Sequence, residues 1–492
     1  MAFPRSLLRI RTLLGALLLI IFLTWGYSRY DSDDYRIIFS GPDTSAQVSV
    51  DLTEHHRWFW YKFHPLLEKY GPDADPLIEV VKAPTEGFKA TNPSPRPDYL
   101  SLSAAAVVTM KESHTGFVDV ITHAPPPLRY VPGTKGLVST AGGPYLPVLV
   151  ISLRMLRRTG SKLPMEVFLA DGSEYEEHIC EVVLPALNAR CIMLSRILDA
   201  APITISKYQF KPFAMLFSSF EEILFLDADA FPLEKPDVLF KGEPFRSKGM
   251  ITWPDFWASS VSPLFYEIIG QPVPAMDLRQ STESGEIVIS KSKHLHTLLL
   301  CTYYNYWGPT HYYPLLSQGA AGEGDKETFV AAATAMNEPF YQVSEPICAL
   351  GHATAGGLAG SAMAQFDPIA DFALTRQGKW RIKGDSAPAP PVFFIHANFP
   401  KFNPATVFMP QDVNPAIADD GSYTRAWTIP ENVVEGFSAK DDVEKNFWRE
   451  ILWTACQLED KFRTWEGQLG ICAGVKDYWS AIYGPEDPVP VS

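Results

Sequence analysis

Residues 223–229 read Ile-Leu-Phe-Leu-Asp-Ala-Asp, a short apolar run that ends in two aspartates. Four consecutive apolar residues bounded by polar ones are typical of a buried strand. Residues two apart in an extended chain face the same side, so Asp227 and Asp229 are expected to converge. Two converging carboxylates repel one another unless a cation lies between them, and Mg²⁺ and Mn²⁺ prefer oxygen ligands. This pattern predicts a metal site; the alternative is a pair of solvated turn acids.

The segments around this run alternate between strand-like and helix-like patterns. Strands are predicted at 136–140, 165–169, 223–226, 249–253, 286–290 and 392–395. Helices are predicted at 55–70, 101–119, 146–158, 212–220 and 326–336. Alternation of this kind indicates an α/β fold with a mixed, mainly parallel sheet flanked by helices. In such sheets the ligand binds beyond the carboxyl ends of the strands.

The N-terminus predicts a membrane anchor. Residues 12–28 carry no charge and follow Arg5, Arg9 and Arg11. As a helix this segment would be about 25 Å long, which is short but adequate for a thin bilayer. A cleaved signal peptide is the alternative, although residues 24–27 make a poor cleavage site. The arginines before the span favour a cytoplasmic N-terminus and a lumenal body.

Composition restricts the class of protein further. The chain has 492 residues, and its net charge of -14 argues against a nucleic-acid partner. A phosphate-bearing substrate stays open, because a metal ion can invert the local charge. The six cysteines form no C-x-x-C motif. Cys180 with Cys191, and Cys456 with Cys472, are candidate disulfides, and buried free thiols are the alternative.

Several longer motifs lie at 156–167, 211–233, 253–257, 282–286, 322–329 and 394–401. Together they resemble the fungal Golgi α-mannosyltransferases that build outer-chain mannan. They occur in one order across 136–404, which is over half of the chain. The resemblance implies a type II Golgi membrane protein with a GT-A (Rossmann-like) domain. It also implies GDP-mannose as donor, Mn²⁺ (or Mg²⁺) as cofactor, a mannose-terminated glycan as acceptor and retention of the α configuration. A mannosyltransferase complex is a further candidate partner.

On this basis the chain is divided into five parts. They are a cytoplasmic tail at 1–11, an anchor at 12–28, a stem with a helical region at 29–130, a GT-A catalytic domain at 131–410 and a helical extension at 411–492. We have no functional interpretation of the extension from its sequence.

The resemblance also assigns roles to individual residues. Asp227, Asp229 and His396 are the expected metal ligands, and His396 is similar to the third ligand of glycogenin-like retaining transferases. Lys401, five residues later, is expected to contact the donor diphosphate as a point charge and to assist catalysis. The alternative for His396 is a loop histidine that is merely hydrogen-bonded.

Three further candidates each have a structural alternative. Asp325 is expected near the transferring sugar, or it caps the following helix. Glu283 is expected to bind donor or acceptor hydroxyls in a catalytic role, or it is a turn acid before Ser-Gly. Lys211 is expected to contact the donor, or it is an ordinary exposed lysine at a helix start.

The remaining candidates surround this centre. Gly142 and Gly143 follow the first strand of the alternating region, where the backbone must approach the nucleotide. Asp171 follows the next strand and is a further candidate for contact with the base or ribose. Trp253 and Asp255 suit an acceptor sugar, and core packing is the alternative for the tryptophan.

Two other functions stay open at this point. One is a transferase of the same fold that uses a UDP-sugar, because no residue pattern selects guanine over uracil. The other is a catalytically silent lumenal partner of a mannosyltransferase complex. The choice between α-1,2 and α-1,3 linkage, and the class of acceptor glycan, are also open.

Overall fold

The structure is a computed structural model that describes residues 52–78, 81–91, 93–198, 205–439 and 441–485. These residues belong to one compact unit that spans 47–492. The predicted tail at 1–11 and anchor at 12–28 lie outside the described residues. Within the described part of the chain, no helix is long and apolar enough to cross a membrane.

Strands and helices alternate from residue 131 onward, after two N-terminal helices. The strands are β1 Val131–Thr140, β2 Met165–Leu169, β3 Ala189–Met193, β4 Phe220–Leu226, β5 Ala230–Pro232, β6 Met250–Ala258, β7 Gln280–Ser290, β8 Tyr341–Gln342, β9 Cys348–Thr354, β10 Gly357–Phe366 and β11 Val392–His396. The α-helices are α1 Thr53–Lys69, α2 Ala104–His123, α3 Tyr145–Arg158, α4 Leu184–Ala186, α5 Phe210–Phe217, α6 Phe245–Lys248, α7 Pro263–Ile269, α8 Leu295–Tyr306, α9 Tyr313–Ser317, α10 Thr328–Ala335, α11 Pro368–Arg376, α12 Glu431–Ser438, α13 Val443–Leu458 and α14 Ile471–Tyr483.

The larger sheet has seven strands in the order β3-β2-β1-β4-β7-β6-β8. β4 pairs in parallel with β1 and antiparallel with β7. Of the seven strands, β7 alone runs against the others. The predicted mixed, mainly parallel sheet flanked by helices is therefore confirmed.

Strand β4 is apolar along its length because both of its faces are covered. Ile223 and Phe225 belong to the same hydrophobic cluster as the buried sides of α1 and α2. Leu224 and Leu226 point to the opposite face and pack in a cluster with α3 and α13. A central strand buried on both faces requires this continuous apolar run. The N-terminal helices and the C-terminal extension therefore cover opposite faces of the larger sheet.

A second sheet of four strands has the order β5-β11-β10-β9 and is antiparallel throughout. Asp227, Ala228 and Asp229 are the whole connection between β4 of the larger sheet and β5 of this one. Strand β11 pairs with β5 so that His396 lies opposite Ala230. This register brings the end of β11 beside Asp229.

Both candidate disulfides are present in the structure. Cys180 is bonded to Cys191, and Cys456 is bonded to Cys472. The second bond joins α13 to α14 within the C-terminal extension. Cys301 and Cys348 are free thiols.

Candidate active site

The Asp-Ala-Asp connection is held by backbone hydrogen bonds from two directions. The Asp227 N–H donates to the carbonyl oxygen of Gly285 in β7 at 2.7 Å, and the Ala230 N–H donates to the Asp227 carbonyl oxygen at 3.0 Å. The Ala397 N–H donates to the Asp229 carbonyl oxygen at 2.9 Å. The connection is therefore fixed against both sheets, at the carboxyl end of β4.

His396 lies between two of the candidate acids. Its Nε2 is 3.1 Å from Asp229 Oδ1, and its Nδ1 is 3.1 Å from Glu283 Oε1. A Cβ on Gly285 would lie 2.5 Å from the imidazole ring, so this position accommodates only glycine while the ring stays where it is. Lys401 Nζ donates a hydrogen bond to Asp229 Oδ2. Four of the residues predicted at the site therefore lie together: Asp229, Glu283, His396 and Lys401.

Lys211 is buried, so its interpretation as an ordinary exposed lysine is wrong. Its Nζ is 3.2 Å from Asp227 Oδ2 and 3.2 Å from Asp325 Oδ2. It also donates to the carbonyl oxygen and the hydroxyl of Ser284, at 2.7 and 2.9 Å. Lys211 therefore ties α5 to β7 and to the loop that precedes α10.

Asp325 does not cap that helix with its side chain. Helix α10 begins at Thr328, and the Thr328 N–H bonds the backbone carbonyl oxygen of Asp325. The Asp325 carboxylate instead accepts a hydrogen bond from Ser284 Oγ at 2.9 Å and pairs with Lys211. The N-cap interpretation is wrong because the carboxylate points toward the candidate site.

The pKa values of these groups are set by burial and by charged neighbours, which act in opposite directions. Burial would raise the pKa of Asp229, but Lys401 and His396 more than offset it and the pKa is lowered. Burial would likewise lower the pKa of His396, but Asp229 and Glu283 raise it well above its ordinary value. For Asp227, burial is the larger effect and raises the pKa, although Lys211 opposes it. The two aspartates of the motif are thus held in different environments.

The set of donor atoms fits a divalent cation. Asp227, Glu283 and His396 each offer a ligand atom, and these atoms lie within 4.8 Å of one another. Glu283 Oε2 is buried and has no hydrogen-bond partner among the described residues. Buried polar atoms are almost always paired, so this oxygen indicates an additional ligand. Asp229 contacts His396 from the other side, so it belongs to the same cluster.

A cavity of about 540 Å³ opens beside this cluster. Asp227, Asp229, Lys211 and Lys401 line one part of it, and Gly142 lines another. A Cβ on Gly142 would lie 2.3 Å from the Glu174 carboxylate, so any larger residue at this position would displace that carboxylate. Gly143 has a φ of +51°, in the left-handed region, but it does not line the cavity.

The two acceptor candidates have different surroundings. Trp253 is fully buried, and its Nε1 donates to the Phe366 carbonyl oxygen at 2.9 Å. The predicted stacking of Trp253 on a sugar is therefore wrong, because the ring packs in the core. Asp255 is buried, does not line the cavity, and accepts a 2.7 Å hydrogen bond from Lys326 Nζ. Its contact with an acceptor stays a prediction.

Three residues of the site were not predicted from the sequence. Ser284 links Lys211 to Asp325, and Glu174 lies against Gly142 in the cavity wall. Glu286 is fully buried in β7, and neither of its carboxyl oxygens is hydrogen-bonded to any residue that the structure describes. Burial raises the pKa of Glu286 well above its ordinary value, and the nearby Glu283 raises it further. An acid followed by three apolar residues in a strand was the available signal for Glu286.

Comparisons with known proteins identify mannosyltransferases as relatives of this chain. A family model described as "Mannosyltransferase putative" matches residues 134–280 and 271–367. The α-1,2-mannosyltransferase MNN21 of Candida albicans is 35% identical over 62% of this chain and 56% of its own length. The α-1,2-mannosyltransferase MNN2 of Saccharomyces cerevisiae is 35% identical over 78% of this chain and 74% of its own length. The chain spans 56% to 64% of the length of three of the Candida albicans relatives.

Among solved structures, the galactosyltransferase LgtC in complex with donor and acceptor sugar analogues matches with a TM-score of 0.28 and 12% identity. The match covers 42% of this chain and 73% of LgtC. The sequence similarity is much stronger, and with 35% identity over 74% of the Saccharomyces cerevisiae protein, the chain belongs to the family of fungal α-1,2-mannosyltransferases that includes MNN2.

Proposed function

We propose that this chain is a type II Golgi membrane glycosyltransferase that moves mannose from GDP-mannose to a mannose-terminated glycan. In this proposal the transfer depends on Mn²⁺ or Mg²⁺, retains the α configuration and takes place in a GT-A domain at 131–410. The names of the relatives support an α-1,2 linkage in the product. A mannosyltransferase complex is its proposed partner in the membrane.

The observation that carries the proposal is the convergence of Asp227, Asp229, Glu283 and His396 beside a cavity. Four carboxylates, counting Asp325, surround two lysines at this site. The acids thus exceed the lysines, which favours a bound divalent cation. A cation held there supplies charge stabilisation for a diphosphate leaving group.

The protein's own groups have complementary tasks in this proposal. Lys401 is partly exposed at the cavity and is available to a donor diphosphate as a fixed positive charge. Lys211 is held by Asp325 and Ser284, so its ammonium group is fixed in position before a substrate binds. Positively charged groups that are already oriented toward the leaving group lower the barrier without further reorganisation.

The test is nucleotide release by the full-length protein with a mannobiose acceptor. GDP-mannose is compared with a panel of UDP-sugars, each with and without Mn²⁺, and Asp227→Asn serves as the inactive control. The expected result is Mn²⁺-dependent release of GDP from GDP-mannose alone, with an α-1,2-linked product. Release from a UDP-sugar would refute the proposed donor. Silence with every donor, with Mn²⁺ and GDP still raising the Tm, would support the catalytically silent partner instead.

A further inference from the structure

The cavity has a second acidic group at a distance from the metal candidates. Glu174 lines the cavity, and its Oε2 accepts a 2.7 Å hydrogen bond from the N–H of Ala170. Ala170 directly follows β2, whereas Asp227 follows β4, and β1 lies between these strands. Two strand spacings place these backbone positions about 10 Å apart. The separation suits a nucleoside whose base lies at Glu174 and whose diphosphate lies at the metal candidates.

The Glu174 carboxylate has capacity for further hydrogen bonds. Within the described part of the chain it forms no ion pair, and its Oε1 accepts no hydrogen bond. It is half-buried against Gly142, where a side chain on the glycine would displace it. Burial raises the pKa of Glu174, and the Ala170 N–H opposes this effect. A half-buried carboxylate with one unused oxygen can accept further hydrogen bonds from a ligand or from water.

Asp171, the other acid of this loop, has a different role. It is exposed, and its Oδ1 accepts a 2.7 Å hydrogen bond from the Ser173 N–H, which closes the turn. Tyr145 and Tyr208 also line the cavity and are both largely exposed. Their rings offer flat faces on which a base can stack. The cavity thus combines aromatic faces with one carboxylate suited to the edge of a base.

We infer that Glu174 determines the base specificity of the donor site by accepting hydrogen bonds from N1–H and the 2-amino group of guanine. This inference rests on the proposed function. Guanine presents two adjacent N–H donors, which match the two oxygens of a carboxylate. Uracil presents one N–H between two carbonyl oxygens, and the carboxylate repels these oxygens because both groups are hydrogen-bond acceptors. A site built around such a pair rejects bases that leave it unsatisfied.

The experiment measures the Kd of the full-length protein for four nucleotides with Mn²⁺ by calorimetry. The nucleotides are GDP, inosine diphosphate without the 2-amino group, xanthosine diphosphate with a carbonyl in its place, and UDP. The wild type should bind GDP most tightly and inosine diphosphate roughly tenfold more weakly, since one charged hydrogen bond is lost. Glu174→Gln should weaken the binding of GDP by roughly tenfold to a hundredfold and strengthen the binding of xanthosine diphosphate. Glu177→Gln, an exposed acid three residues away, is the matched control and should keep the wild-type order.

The outcomes separate this inference from the proposed function. If Glu174→Gln keeps the GDP affinity and the order of the four nucleotides, the inference is refuted while the donor site stands. If the wild type prefers UDP, Glu174 does not select guanine and the proposed donor is wrong as well. If none of the four nucleotides binds the wild type, the proposed function fails and this inference fails with it.

Discussion

The larger sheet buries charged groups at its amino edge, where the parallel strands begin, and at its carboxyl edge, where they end. The hydrogen bonding of these groups differs between the two edges. At the amino edge of the parallel strands, both oxygens of Glu166 accept hydrogen bonds, from the Ser219 N–H, the Ser219 hydroxyl and Arg190. Lys291, at the end of the reversed strand β7, donates to the carbonyl oxygens of Leu216 and Ser218. These groups fix the ends of the strands to one another.

At the carboxyl edge the same sheet leaves carboxyl oxygens without hydrogen-bond partners among the described residues. These are Glu283 Oε2 and both carboxyl oxygens of Glu286, and all three are buried. Leaving such atoms unpaired costs stability, so their presence indicates a task other than holding the fold. Both oxygens of Glu166 accept hydrogen bonds, whereas the oxygens of Glu283 and Glu286 named above do not. The comparison teaches that the pairing of buried carboxylates, rather than their burial, distinguishes the candidate active site from a structural cluster.

The largest expected effect is on catalysis at the carboxyl edge. Asp229→Asn removes one charge of the proposed metal site and should lower the transfer rate by roughly a thousandfold or more. The variant should still unfold cooperatively, because the core clusters on both faces of β4 are untouched. Asp460→Asn, an exposed acid, is the matched control and should keep full activity. A fully active Asp229→Asn protein would exclude the proposed mechanism.

The converse is expected at the amino edge. Glu166→Gln removes the buried negative charge that accepts hydrogen bonds from Arg190 and Ser219, and it should lower the free energy of unfolding by about 3 kcal/mol. Denaturant unfolding measures this change. The folded variant should keep its transfer rate within about twofold of wild type, since Glu166 lies at the opposite edge from the cavity. A large loss of activity at unchanged stability would contradict the distinction between the two edges.

An intermediate effect is expected where the backbone approaches the candidate metal site. Gly285→Ala places a Cβ 2.5 Å from the His396 ring and 2.7 Å from Glu283 Oε1. Displacement of these ligands should weaken Mn²⁺ binding by roughly tenfold to a hundredfold. Gly242→Ala, where a Cβ meets no atom within 4 Å, is the control. Equal Mn²⁺ affinity in both variants would show that His396 and Glu283 do not hold the cation.

The smallest effect is a pH dependence at the amino edge. Burial lowers the pKa of Lys291 to about 7, while Glu166 opposes the shift. The unfolded lysine titrates near 10.4, so above about pH 7 the unfolded chain holds a proton that the folded chain does not. Stability therefore rises with pH in this window, and the cost of burying Lys291 is fully present below pH 7. From pH 7.5 to 9 the wild type should gain about 2 kcal/mol relative to Lys291→Met.

Denaturant unfolding at several pH values measures this difference. Lys293→Met makes the same substitution at an exposed lysine two residues away and should follow the wild-type slope. A slope shared by the wild type and Lys291→Met would mean that Lys291 is charged in the folded protein at neutral pH.

Features encoded by neighbouring residues could be predicted from the sequence. The apolar run of β4 and the two aspartates after it lie within seven residues, and the apolar run at 392–395 with His396 directly after it is equally local. The strands β9 and β10 were missed because 348–366 is rich in alanine and glycine, which have weak strand preferences. They form strands because β10 pairs with β11 and β9 pairs with β10.

The contacts of the site could not be predicted in the same way, because they join distant segments. Lys211 on α5 is buried only because β7 and the loop before α10 bring Ser284 and Asp325 to it. Trp253 was expected at a sugar and lies in the core, since β10 closes over it through Phe366. The sequence shows which side chains can react, but only the packing shows which of them meet.

The most direct test of the central claim is Mn²⁺ binding to the full-length protein in the presence of GDP. Electron paramagnetic resonance counts the free and bound ion in the wild type, in Asp229→Asn and in Glu166→Gln. The account predicts one Mn²⁺ per chain in the wild type and in Glu166→Gln, and a loss of roughly a hundredfold or more in affinity in Asp229→Asn. Equal Mn²⁺ binding by the wild type and Asp229→Asn, or none by the wild type, would contradict it.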